Sequence, residues 1–122
     1  MCLMSETKIP NISTEDIKCY KVLIGLCSPY QEYKYTLNET IKNTTVESVT
    51  EVFGKFMIES GYFHSYSDIN AARNLVSFIW RRRKVRALIY NAVIPKGTIY
   101  FKGQTNDLCS KSIRITTIAN DE

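Results

Sequence analysis

The chain has 122 residues, 44% of them hydrophobic and 11% aromatic, with 16 Lys and Arg against 12 Asp and Glu for a formal charge of +4. That length fits one domain and excludes two. The aromatic content excludes a disordered chain, and the apolar fraction allows a core without metal or disulfide staples.

Residues 1–14 are polar and interrupted by Pro10, which predicts a flexible N-terminal arm. A single α+β domain is expected over 15–119, with a polar tail at 120–122. "IKCYKVLIGL" (17–26) is rich in apolar and β-branched residues and predicts a first strand. "CSPYQ" reads as a turn, "EYKYTL" (32–37) as a short second strand and "NETIKNTT" (38–45) as a polar loop. In "VESVTEVFGKFMIESG" (46–61), Val46, Val49, Phe53 and Phe56 recur at helical spacing, which predicts a helix ending at Gly61.

"YFHSY" (62–66) predicts a short aromatic strand. A helix then follows, with Ser67 as N-cap and Asp68 in the first turn, because Ile69, Ala72, Val76 and Ile79 form one apolar stripe. "VRALIYNAVI" (85–94) is apolar enough for a central strand. "IPKGT" predicts a hairpin turn from which "TIYFKG" (98–103) pairs back. "KSIRITTI" (111–118) alternates Ile113 and Ile115 with Arg114 and Thr116, the pattern of a half-buried strand. The sum is a strongly curved antiparallel sheet of about five strands, with one or two helices packed on it. Ile69, Val76, Ile79, Ile89, Val93, Ile113 and Ile115 are expected in a common core.

Charge is distributed unevenly. Residues 1–68 hold six cations and nine anions, whereas residues 69–106 hold eight cations and no anion. Such asymmetry attracts an anionic partner, or lets the acidic part of one copy meet the basic part of another. The block Arg81, Arg82, Arg83, Lys84 and Arg86 falls at the predicted helix end, where cations also complement the helix dipole. Guanidinium forks suit phosphate groups. Trp80, Tyr90 and Tyr100 offer stacking surface, with Arg86 and Tyr90 expected on one strand face, and Lys96 and Lys102 add charge.

Chemistry of other kinds finds little footing. Cys2, Cys19, Cys27 and Cys109 form no C-x-x-C pair and His64 is the single histidine, so no metal site and no cofactor is expected. The cysteines read as reduced thiols. His64 fits no nucleophile elbow and reads as a structural histidine. The N-terminus has no signal-peptide h-region and no apolar run nears a membrane span, so a cytoplasmic protein without membrane contact is expected. The sequons at Asn11, Asn38 and Asn43 then read as compositional accidents.

The order "CYKVL", "GYFHSYSDINAA", "VIPKGTIYFKG", "CSKSIRI" resembles a family of small uncharacterised proteins of Bacteroidota and their phages, over residues 17–118. It is also distantly similar to the ADP-ribosyltransferase-type fold. There an aromatic strand with a hydroxyl residue precedes a helix with adjacent alanines, here Ala71 and Ala72. Tyr20–Lys21 takes the first-strand position, but no E-x-E or Q-x-E occurs late in the chain. The first resemblance implies a phage anti-defence protein that sequesters a nucleotide-like signal or inhibits a host defence protein. The second implies either a non-catalytic nucleotide-binding relative or a divergent transferase using His64 and Tyr20. The reading favoured is a non-enzymatic binder of an anionic, nucleotide-like ligand, forming a homo-oligomer. The alternatives are that enzyme and a nucleic-acid-binding protein using the same basic block.

Overall fold

A computed structural model describes residues 3–5, 7–28, 34–44 and 47–119, and the side chains of residues 59 and 60 are outside the description. The described residues form strands β1 (Leu3–Ser5), β2 (Asn11–Ile12), β3 (Ile17–Leu23), β4 (Thr40–Lys42), β5 (Ser48–Val52), β6 (Lys55–Ser60) and β7 (Phe63–Tyr66). Helix α1 (Ile69–Arg83) follows, then β8 (Leu88–Ile94), β9 (Ile99–Lys102), β10 (Asp107–Ser110) and β11 (Ser112–Ile118). An eight-stranded sheet has the order β2-β9-β10-β7-β3-β8-β11-β4, and a second sheet has the order β1-β6-β5. The α+β class holds. The expected sheet of about five strands is replaced by sheets of eight and three, and the strong curvature expected is not a clear feature of either.

The best-defined pairing joins β3 to β8 over seven residues, from Ile17 opposite Ile94 to Leu23 opposite Leu88. Because side chains alternate across a strand, this pair feeds two cores. On one face Cys19, Leu23, Tyr90, Ala92 and Ile94 pack with Phe63, Leu108, Ile113 and Ile115. On the other, Val22 and Ile89 pack against Ala72 and Ile79 of α1, with Ile69, Leu75 and Val76 partly buried beside them. The single core expected from the sequence is thus divided, and Val93 is only half-buried. A third cluster, Leu3, Ile58, Tyr62, Phe101 and Cys109, joins the three-stranded sheet to β9 and β10.

Helix α1 forms as its stripe predicts, with one shift at its start. Asp68, not Ser67, is the N-cap, and its carboxylate accepts the Asn70 N–H at 3.2 Å. At the other end Lys84 takes the left-handed conformation (φ 56) and donates its N–H to the Trp80 carbonyl at 3.0 Å. This turn redirects the chain so that Arg86 comes back beside the last helical turn.

The predicted helix over 46–61 is instead the β5–β6 hairpin; residue 46 lies outside the described residues. Phe53 (φ 51) and Gly54 (φ 79) both have positive φ, the signature of the type I′ turn that suits hairpin twist. Gly54 supplies that conformation freely, and the β-branched Val49, Thr50 and Val52 favour the strand. Gly61 lies between β6 and β7 and ends no helix.

The turn at Pro95–Thr98 forms, but β9 does not pair back with β8; it lies between β10 and β2. Ser13 takes the bonds that a hairpin would have used. Its N–H and carbonyl pair with Thr98 and Gly97, and its hydroxyl donates to the Pro95 carbonyl at 2.8 Å and accepts from Thr98 N–H at 2.9 Å. The Asp16 carboxylate accepts the Lys96 N–H at 2.9 Å. The segment expected as a loose arm therefore contributes two strands and this clamp. The expected strand over 32–37 lies partly outside the described residues. Lys34 and Leu37 make only isolated bridges, to Cys27 and Ile115.

Candidate anion-binding groove

Val76, Ser77, Trp80 and Arg81 fall at helical offsets 0, 1, 4 and 5, which puts them on one side of α1. Together with Arg86 they line an open groove of about 440 Å³. Trp80 is 54% exposed, and Arg81 and Arg86 are both exposed. Among the described residues no carboxylate pairs with Arg81 or Arg86. The groove thus combines an aromatic face, an apolar floor at Val76, a hydroxyl at Ser77 and two planar cations.

Arg82 lies on the neighbouring face, where its guanidinium sits over the Phe78 ring at 5.6 Å. Arg83 and Lys84 are exposed at the same helix end. The remaining candidates lie elsewhere. Tyr90 is 6% exposed and faces the first core, so it cannot share a surface with Arg86. Arg86 precedes β8 and lines the groove beside α1, so the alternation that turns Ile89 toward the helix and Tyr90 away from it does not extend to Arg86. Lys96 follows the far end of β8, roughly 20 Å or more from Arg86 at the strand rise. Tyr100 packs on the first core, and Lys102 ends β9, on the far side of the strand order. Sequence reasoning missed Val76 and Ser77 as groove residues. The same helical offsets that placed Trp80 beside Arg81 were the signal available.

A second polar constellation is enclosed. His64 Nε2 lies 3.4 Å from Asp107 Oδ2, with both side chains nearly buried. Asp107 Oδ1 also accepts the Thr105 N–H at 3.3 Å. Burial lowers the His64 pKa against the pull of Asp107, so the ring is neutral at neutral pH and donates Nε2–H to the carboxylate. Tyr66 links the two residues of the enzyme alternative: Tyr20 is its cross-strand partner, and the His64 ring meets it edge-on at 5.1 Å. Neither His64 nor Tyr20 lines the adjacent cavity of about 290 Å³ bounded by Tyr66, Ala71, Asn74, Leu75 and Thr105.

Lys21 is the least expected feature. It is 5% exposed, on the core face of β3 between Cys19 and Leu23. Its Nζ donates to the His64 carbonyl and lies 5.3 Å from the Tyr35 ring centre. The β3–β7 ladder is reduced to the single Tyr20–Tyr66 pair, and the Lys21 side chain bridges the two strands beside it. Burial lowers its pKa to about 8, and raises the neighbouring Cys19 thiol to about 11. Cys19 and Cys109 are buried free thiols and Cys27 is a half-buried one, while Cys2 lies outside the described residues. No cluster of three or more His, Cys, Asp or Glu with metal-binding proximity occurs among the described residues. No helix there is long and apolar enough to cross a membrane. No protein-family model, no curated protein and no solved structure matches the chain.

Proposed function

We propose that this protein is a non-enzymatic binder of an anionic, nucleotide-like ligand, held in the groove of Trp80, Arg81 and Arg86. The observation that carries the reading is the convergence of an exposed indole and two guanidinium groups with no carboxylate among them. A purine ring stacks on Trp80, and phosphate oxygens accept from Arg81 and Arg86. The negative end of the α1 dipole opposes an anion here by only about 0.3–1 kcal/mol. Two charge-assisted contacts contribute roughly 1.5–3 kcal/mol each and stacking about 1–3, so attraction wins. After the cost of association, this supports affinity of about millimolar order. In the phage setting that the sequence resemblance implies, such a protein sequesters a defence signal or inhibits a defence enzyme.

Arg81→Glu with Arg86→Glu tests the reading. Both side chains are exposed, so the melting temperature is expected to stay within a few degrees of wild type. Binding of ADP, followed by calorimetry, is expected to weaken by at least about tenfold, the loss of more than ~1.4 kcal/mol. Unchanged affinity in a folded double variant would remove the groove from consideration.

A further inference from the structure

We propose that Phe53, at the tip of the β5–β6 hairpin, docks into the Trp80 groove of a second copy of this chain. Phe53 is fully exposed, so it is not seated in the groove of its own chain. It also occupies the first central position of the type I′ turn with φ 51. That position favours Asn, Asp or Gly, and a bulky ring there is held against local preference. The fold therefore presents a large apolar group to solvent at a strained site, a combination that points to use at an interface.

The charges around tip and groove are complementary. The hairpin carries Glu51 on the strand leading into its tip, while Glu47, farther from the tip, is held by Lys111 at 3.0 Å; Arg81 and Arg86 flank a groove with no paired carboxylate among the described residues. Glu51 is exposed and precedes Phe53 by two residues on β5. In the docked state the benzyl ring lies against Trp80 and Val76, and the Glu51 carboxylate approaches the guanidinium groups. The groove volume of about 440 Å³ has ample room for one phenyl ring. A second copy is the occupant that fits, because one chain carries both the acid-flanked tip and the base-flanked groove. Tip and groove are different surfaces, so contacts close reciprocally in a dimer or run head to tail into a ring. The docking and the proposed ligand compete for the groove, which makes ligand binding and assembly mutually exclusive.

The test is sedimentation velocity from micromolar to millimolar protein, with Trp80 emission read on the same samples. Wild type is expected to gain mass with concentration while the emission shifts in step. Phe53→Asn suits the turn better than the native residue, so it is expected to fold with an equal or higher melting temperature. It is expected to stay monomeric with constant emission. Glu51→Arg is expected to weaken assembly, and Glu51→Arg with Arg86→Glu to restore it in part. A wild type that stays monomeric throughout, or a Phe53→Asn variant that assembles like wild type, would overturn the docking. ADP is expected to dissolve the assembly. Intact assembly without any response to ADP would sink the ligand reading alone, and ADP binding to a strict monomer would sink the docking alone.

Discussion

Gly103→Val is expected to lower the unfolding free energy by about 3–5 kcal/mol, among the most damaging single changes available. A β-carbon at Gly103 would stand 2.0 Å from Asp107 Oδ1, 2.7 Å from its Cγ and 3.0 Å from Leu3 Cγ. The backbone cannot retreat easily. Gly103 donates its N–H to the Asp107 carbonyl at 2.8 Å and bridges to Ser5 of the second sheet. Nor can Asp107 swing away without releasing His64 and the Thr105 N–H. Overpacking of about 1–3 kcal/mol therefore adds to a buried carboxylate stripped of partners, worth a further ~1–3 kcal/mol. Urea denaturation checks both parts. In an Asp107→Ala background the two closest atoms are gone and only the tight approach to Leu3 Cγ remains, so the cost of Gly103→Val is expected to fall by more than half. Wild-type stability in Gly103→Val would contradict the packing described where the two sheets meet.

Lys21→Met is expected to stabilise the protein by about 2 kcal/mol near neutral pH, with a pH dependence that identifies the cause. The folded chain releases the Lys21 proton near pH 8, whereas the unfolded chain holds it to about 10.5. Below pH 8 both states are charged and the full burial penalty applies, about 3 kcal/mol for this shift, of which the bond to the His64 carbonyl returns about 1. Between the two values the unfolded chain binds more protons, so wild-type stability rises with pH. The thiols act in the opposite sense. Burial raises Cys19 to about 11 and Cys109 to about 12, both from 9.0, so they withdraw stability once the unfolded thiols ionise. Wild type should therefore be most stable near pH 9, while Lys21→Met lacks the rising limb and only declines. Chemical denaturation between about pH 7 and pH 9 is expected to show the gap between the two proteins closing by ~1 kcal/mol. A constant gap would mean that Lys21 is not buried as described.

The helix was legible because Ile69, Ala72, Val76 and Ile79 repeat at one spacing and α1 buries that stripe against β3 and β8. Strands β3, β8 and β11 were legible for the same reason, since their composition and alternation answer to local geometry. The β5–β6 hairpin was not. Val49, Phe53 and Phe56 fall at helical intervals by coincidence, and a Phe-Gly turn lacks the Asn or Asp that usually announces a type I′ turn. The Pro95–Thr98 turn was recognised but given the wrong partner, because its bonds go to Ser13, 82 residues away from Pro95. Of the site, Trp80, Arg81 and Arg86 stood in the acid-free block. Tyr90 was misplaced because β8 begins only at Leu88, so the alternation that would have paired Tyr90 with Arg86 does not reach back to Arg86. Lys21 was hidden for the opposite reason: a lysine in a strand ordinarily marks the solvent side, and here the β3–β7 opening takes it inward.

Trp80 is the only tryptophan of the chain and lines the groove, so selectively excited tryptophan emission reports on the proposed site. The most direct measurement is its emission during titration with ADP, with adenosine and inorganic phosphate as the two halves of the probe. Saturable quenching by ADP is expected, with much weaker responses to either half and loss of the response in Arg81→Glu with Arg86→Glu. A folded wild type whose Trp80 emission shows no saturable change with ADP, or a double variant that responds as wild type does, would contradict the groove as a nucleotide-like anion site.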